Sequence, residues 1–122
     1  MAEPVVDEII FGQLLDMDDN SPPFEFTNEI LQSFFEQMQE GITEFRELLQ
    51  KEDYAAIGDL GHKLKGSSGQ VGANRLRAIC DDIQHWKLRA SGNPKSYLEN
   101  AINKLPSLTD EVKRELYSRI GK

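Results

Sequence analysis

Residues 30–49, Ile-Leu-Gln-Ser-Phe-Phe-Glu-Gln-Met-Gln-Glu-Gly-Ile-Thr-Glu-Phe-Arg-Glu-Leu-Leu, decide the fold. Their apolar members at Leu31, Phe34, Phe35, Met38, Ile42, Phe45, Leu48 and Leu49 recur every three or four residues. That is the stripe of an α-helix over about five turns. Gly41 inside it costs about 1 kcal/mol relative to alanine, which so large an apolar face offsets. The stripe is wide enough to be shared by several partner helices, and Thr27 or Asn28 is expected to cap its start.

Working outward, the flanking segments are also helical. On the N-terminal side, Val6, Ile9, Ile10, Leu14 and Met17 give a short amphipathic helix over residues 5–17, ended by Asp18-Asp19-Asn20-Ser21-Pro22-Pro23. On the C-terminal side, Asp53 is the expected N-cap of a helix whose core face reads Ile57, Leu60, Leu64, Ser68 and Val71. A further helix is expected from Asn74 to Arg89, with Leu76, Ile79, Cys80, Ile83 and Trp86 inward. Ser91-Gly92-Asn93-Pro94 ends it, and Pro94 suits the first turn of the last helix. From Leu98 to Ile120 one helical phase persists, but Pro106 predicts a kink or break with Ser107 or Thr109 as a new cap. No segment alternates apolar and polar residues convincingly, so strands are not expected. The predicted architecture is all-α: an up-down four-helix bundle over residues 27–121 with a short additional N-terminal helix, one domain spanning 1–122.

Composition narrows the function classes. The chain has 122 residues, 29% charged and 39% hydrophobic, which is ordinary globular usage and length for one core. A net charge of -7 argues against nucleic acid as a partner, since phosphate backbones need a basic surface. One cysteine, Cys80, excludes an internal disulfide. No stretch supplies the roughly 20 apolar residues of a membrane helix, and the first residues lack the basic start of a signal peptide. A soluble intracellular monomer is expected, and a small protein without targeting signals is expected in both cytoplasm and nucleus.

The candidate site is His62 in Gly61-His62-Lys63-Leu64-Lys65-Gly66-Ser67-Ser68-Gly69. At about 100° per residue it lies roughly 140° from the centre of its helix's core face, so it points to solvent or a partner. Gly58, Lys65, Gly66 and Gly69 share its side of the helix. Each glycine in a helix costs about 0.5–1 kcal/mol; what three of them return is clearance for another protein to approach the imidazole. Lys65 adds a cation beside the ring, while Lys63 projects elsewhere and contributes only to the local field. An exposed nitrogen, steric clearance and a positive group are what a nucleophilic histidine needs to receive a phosphoryl group. The same glycines also fit a helix C-terminus with Gly66–Gly69 as cap and loop, and on spacing alone the two readings stand level.

Other motifs carry less. Gly66-x-x-Gly69-x-x-Gly72 follows no strand and lacks the Walker lysine spacing. His62, Cys80 and His85 match no zinc pattern, so Cys80 reads as a buried thiol and His85 as a surface residue. No nucleophile elbow is present.

The stretch Leu60-Gly61-His62-Lys63-Leu64-Lys65-Gly66-Ser67-Ser68 resembles the His-x-x-Lys-Gly-Ser-Ser signature of histidine-containing phosphotransfer (HPt) domains, in particular those of fungal, yeast-type phosphorelay intermediates. The likeness extends through Val71-Gly72, Arg75, Cys80 and Ile83-Gln84, reaches back to Met17-Asp18-Asp19, and covers roughly residues 9 to 90. It implies a bundle whose histidine accepts a phosphoryl group from the aspartate of a hybrid histidine kinase's receiver domain and passes it to a response regulator. Carried over, His62 is the phosphoacceptor, Lys65 the charge stabiliser, Gly66 the small residue leaving room for phosphate, and Gln84 a hydrogen-bonding neighbour. No cofactor is expected on this chain; the divalent metal would sit on the partner receiver. Lys63 and Ala78 depart from the family's aromatic residue and tryptophan, and a long acidic insertion before the last helices is missing. Ile10, Leu14 and Met17, with Lys63 and Gly69, are the expected docking residues. The alternatives are a non-catalytic helical adaptor and the phosphotransfer fragment of a histidine kinase.

Overall fold

A computed structural model describes residues 4–122; residues 1–3 of the predicted domain span lie outside the described residues. Six helices follow in order: α1 (Glu8–Met17), α2 (Glu25–Gln50), α3 (Tyr54–Gln70), α4 (Asn74–Gln84), α5 (Trp86–Arg89) and α6 (Pro94–Ser118). There is no strand among the described residues. The architecture is the expected all-α bundle. α3 packs between α2 and α4, and α6 closes the ring by packing on both. α1 lies against α2, and α5 bridges α4 and α6.

The apolar stripes meet inside this ring. Met38, Phe45, Leu64, Ile83 and Leu105 are each buried to within 1% of completely. Burying a side chain of this size stabilises by about 1.5–3 kcal/mol. The predicted α3 face from Ile57 to Val71 is buried throughout. Asp53 caps α3 as expected, accepting from the Ala56 N–H at 3.1 Å, and Pro94 occupies the first turn of α6.

Four boundaries differ from expectation, each for a physical reason. α1 starts at Glu8 and not at residue 5, because the Asp7 side chain caps it by accepting the Ile9 and Ile10 N–H groups. α2 starts two residues before Thr27, behind a left-handed Phe24 (φ 54°) that provides no side-chain cap. The cap comes from a distance: Asp18, just past α1, accepts the N–H groups of Phe26 (3.2 Å) and Thr27 (2.8 Å). Thr27 itself is buried, its hydroxyl within 2.7 Å of the Asp18 carboxylate and 3.1 Å of the Leu14 carbonyl. The helix expected over 74–89 breaks at His85, where the chain turns so that Trp86 packs edge-on to Tyr54, ring centroids 5.7 Å apart. α6, in contrast, runs through Pro106 without a break. Leu105 and Val112 on either side are fully buried in one helical phase, and that anchoring outweighs the hydrogen bond proline cannot make. Neither predicted cap acts there: the Ser107 hydroxyl donates back to the Lys104 carbonyl, and Thr109 is buried in the helix interior.

α1 is fixed at its start by the turn between α3 and α4. Asp7 N–H donates to the Gly72 carbonyl at 2.9 Å. Gly72 has φ +74°, and a Cβ there would lie 2.8 Å from the Asp7 carbonyl oxygen, so both conformation and approach require glycine.

Candidate functional site

The site is built on the antiparallel pair α3 and α4. Two glycines set their spacing. A Cβ on Gly61 would lie 2.9 Å from the Gln84 backbone nitrogen and 3.1 Å from the Cys80 carbonyl. One on Gly58 would lie 3.4 Å from the Gln84 carbonyl and from Trp86 Nε1. Both glycines are buried. This corrects the expectation that Gly58 clears space for a visitor: it admits Trp86 and the end of α4. Gly66 fits that expectation, being exposed with no atom within 4 Å of the place a Cβ would take. Gly69 is intermediate, since its Cβ would touch the Arg77 side chain at 3.4 Å. The helix continues to Gln70, so Gly66–Gly69 do not form the C-terminal loop that spacing left open.

His62 is exposed on the outer side of α3, as its helical angle predicts, and its ring has no hydrogen-bond or ion-pair partner among the described residues. It lines a groove of about 710 Å³ together with Gly58, Gln84, His85, Trp86 and Leu88. Gln84 thus shares the groove with His62, and its side-chain oxygen is buried without a hydrogen-bond partner. A buried unpaired carbonyl is costly and is ready to accept an N–H donor. His85, expected to be a plain surface residue, belongs to the groove wall, its Nδ1 2.9 Å from the Asp81 carbonyl.

Lys65 reaches across to α4, its ammonium 2.8 Å from the Asp81 carboxylate. That carboxylate also meets Arg89 Nη2 at 3.1 Å and His85 Nδ1 at 3.2 Å. The Lys65 hydrogen bond foremost, then the neighbouring positive groups, hold the Asp81 carboxyl below its ordinary value despite partial burial. Sequence reasoning placed Lys65 beside His62 but missed this partner, because nothing in the spacing of α3 says which residue of α4 lies opposite.

The expected docking residues differ in exposure. Met17 is 66% exposed. Leu14 is half-buried against the core. Ile10 and Gly69 come together around a small cavity with Arg77. Lys63 is exposed. Two apolar residues outside that expected set stand further into solvent: Ile9, read as part of the apolar face of α1, at 78%, and Leu88 at 85%. Burial pushes the Cys80 thiol up to about 12, in keeping with its reading as a core group. No cluster of His, Cys, Asp or Glu able to hold a metal ion occurs among the described residues, and no helix there is long and apolar enough to cross a membrane.

With this geometry, comparison with known proteins is decisive. The family model described as "Hpt domain" matches residues 29–115, most of the chain and the whole of the α3–α4 pair. The chain belongs to the Hpt domain family. The matched range includes His62, the exposed ring over the groove. Multistep phosphorelay regulator 1 of Schizosaccharomyces pombe is 34% identical over 115 residues, covering 94% of this chain and 36% of that protein. The crystal structure of yeast Ypd1p superposes with a TM-score of 0.67 at 25% identity, covering 82% of this chain and 61% of that one. Saccharomyces cerevisiae Ypd1, solved with the receiver domain of its downstream response regulator Ssk1, gives a TM-score of 0.78 over 96% of this chain and 94% of that one. At 18% identity, that last likeness is one of fold. The Hpt chain spans between 36% and 48% of the length of the curated relatives it matches.

Proposed function

We propose that this Hpt protein is a stoichiometric phosphocarrier of a multistep phosphorelay. His62 accepts a phosphoryl group from a receiver-domain aspartate of a hybrid histidine kinase and passes it to the aspartate of a response regulator. The observation that carries the reading is the unpaired, exposed His62 ring at a groove, with the open face of Gly66 one turn away.

In the first transfer an unprotonated ring nitrogen of His62 attacks the phosphorus of the acyl phosphate. The N–P bond forms as the P–O bond to the aspartate breaks, and the aspartate leaves as carboxylate. The second transfer is the reverse, onto a new aspartate. The chain's own residues position the reaction. Gly66 leaves room for the phosphoryl oxygens, Lys65 offsets their charge, and the Gln84 side-chain oxygen accepts the N–H of the ring nitrogen that does not react. The divalent metal and acidic cluster come with each receiver domain, so the carrier contributes a nucleophile and no enzymatic site of its own.

Receiver domains are the partners, as supported by the yeast Ypd1 structure with the Ssk1 receiver. They dock over exposed Ile9 and Met17 with Ile10 and Leu14 behind, over Lys63 and Gly69, and on the groove side over Leu88. The carrier acts as a monomer moving between cytoplasm and nucleus, and binds neither nucleic acid nor membrane. The test is to mix it with a phosphorylated receiver domain and assay acid-labile, base-stable phosphate. Wild type acquires it and His62→Gln does not; labelling of both, or of neither, rejects the reading.

A further inference from the structure

Lys65 is the cation expected to serve the phosphoryl group, yet its ammonium is engaged elsewhere, 2.8 Å from Asp81 Oδ1. The pair is not a core feature: the two side chains are 33% and 25% exposed, so it can open without disturbing the bundle. Lys65 lies three residues beyond His62 on the same helix, which puts their Cβ atoms about 5–6 Å apart. A lysine stem spans either distance. Asp81 and a phosphoryl group on His62 are therefore rivals for one ammonium.

Asp81 is also arranged to let it go. Arg89 Nη2 sits 3.1 Å from its second oxygen, and His85 Nδ1 lies 3.2 Å from the first. Arg89 is itself steadied by Asp82, 2.9 Å from its Nε. When Lys65 leaves, the Asp81 carboxylate keeps its ion pair with Arg89, so its charge is not stranded. A phosphoryl group, with nearly two negative charges and three acceptor oxygens, is the stronger attractor.

We propose that Asp81 is a positioning residue that sets how readily phosphorylated His62 gives up its phosphoryl group, by competing with it for Lys65. Every phosphorylation must first break the Lys65–Asp81 pair, and every release restores it. The pair thus favours the unloaded carrier and keeps His62 from becoming a phosphate sink. This proposal rests on the phosphocarrier reading of His62.

The experiment measures the equilibrium partition of phosphate between the full-length carrier and a receiver domain loaded from acetyl phosphate in the presence of Mg²⁺. Four carriers are compared: wild type, Asp81→Asn, Lys65→Met and the double variant, with Asp81→Glu as rescue. Circular dichroism checks that each remains folded. Partly exposed ion pairs are modest, so Asp81→Asn is expected to shift the partition toward His62 by about 2- to 5-fold. The shift disappears in the Lys65→Met background, and Asp81→Glu returns the wild-type value. An unchanged partition in Asp81→Asn overturns the proposal, and so does an equal shift with Lys65 removed, which would mean that Asp81 acts without it. If the wild type takes no phosphate on His62, the proposal falls together with the phosphocarrier reading, whereas a labelled wild type with an unresponsive Asp81→Asn removes the proposal alone.

Discussion

Gly61 of α3 lies so close to Gln84 of α4 that a Cβ on residue 61 would be 2.9 Å from the Gln84 backbone nitrogen. The glycine immediately before the candidate phosphoacceptor is thus a packing residue, and the helix bearing Gln84 rests directly on it. Gly61→Ala gains about 1 kcal/mol of helix propensity but forces α4 away from α3, and overpacking of this kind costs about 1–3 kcal/mol. A net loss of stability is expected in urea unfolding, with slower phosphotransfer because Gln84 moves with α4. A more stable variant would show that α4 yields without strain.

Gly66 should behave in the opposite way. Space around it is open, so Gly66→Ala is expected to raise stability by up to about 1 kcal/mol. Gly66→Gln, which places a long side chain beside His62, should leave helicity unchanged and slow phosphotransfer at least about tenfold, since displacing reacting groups by an ångström can cost more than that. Stopped-flow transfer rates and circular dichroism separate the two effects.

Lys65 and Lys63 offer a test of helical placement. Removing Lys65 takes away the cation on the histidine's side of α3, whereas Lys63 points away from it. Lys65→Ala should slow transfer several-fold more than Lys63→Ala. Equal effects would mean that only the general positive field matters.

Acid should loosen the join between α1 and α2. The Thr27 hydroxyl first, with the Thr27 and Phe26 N–H groups, holds the Asp18 carboxyl below its ordinary value. A depressed folded value means that the contribution to stability is fully present above the unfolded value of about 3.9. It is lost as pH falls through the folded value. Melting temperatures measured from pH 6 to pH 2 should drop less steeply below about pH 4 in Asp18→Asn than in wild type.

Leu88 is a means of separating docking from folding. At 85% exposed it supports no core, so Leu88→Asp should leave the melting temperature unchanged. It should weaken receiver binding by about 10-fold or more if Leu88 is an anchor of that interface, as read by calorimetric titration. Unchanged affinity would confine docking to the α1 side.

The legible part of this molecule was what one helix encodes by itself. The stripes of α2, α3 and α6 repeat at helical spacing; that of α3 is buried throughout, while Leu48 and Leu49 at the end of α2 and Leu108 of α6 are half-buried, and the angle of His62 from its core face matches its exposure. What needed a second element stayed hidden. The remote cap of α2 by Asp18 lies eight and nine residues before the groups it serves, beyond any local capping pattern. The turn at His85 follows from Trp86 finding Tyr54, and the continuity of α6 through Pro106 from burial on both sides of it. Within the site, Gly58 and Gly66 look alike in sequence, and only the position of α4 makes one a packing contact and the other a clearing. The Lys65–Asp81 pair was out of reach for the same reason.

Cys80 sits on the inner face of α4, fully buried, with its carbonyl against Gly61 and its thiol pushed up to about 12. Reagents that attack thiolates meet essentially none of the reactive form while the core stays closed. Its rate of labelling therefore follows how often the core around α4 opens, giving the protein a built-in chemical clock for such openings.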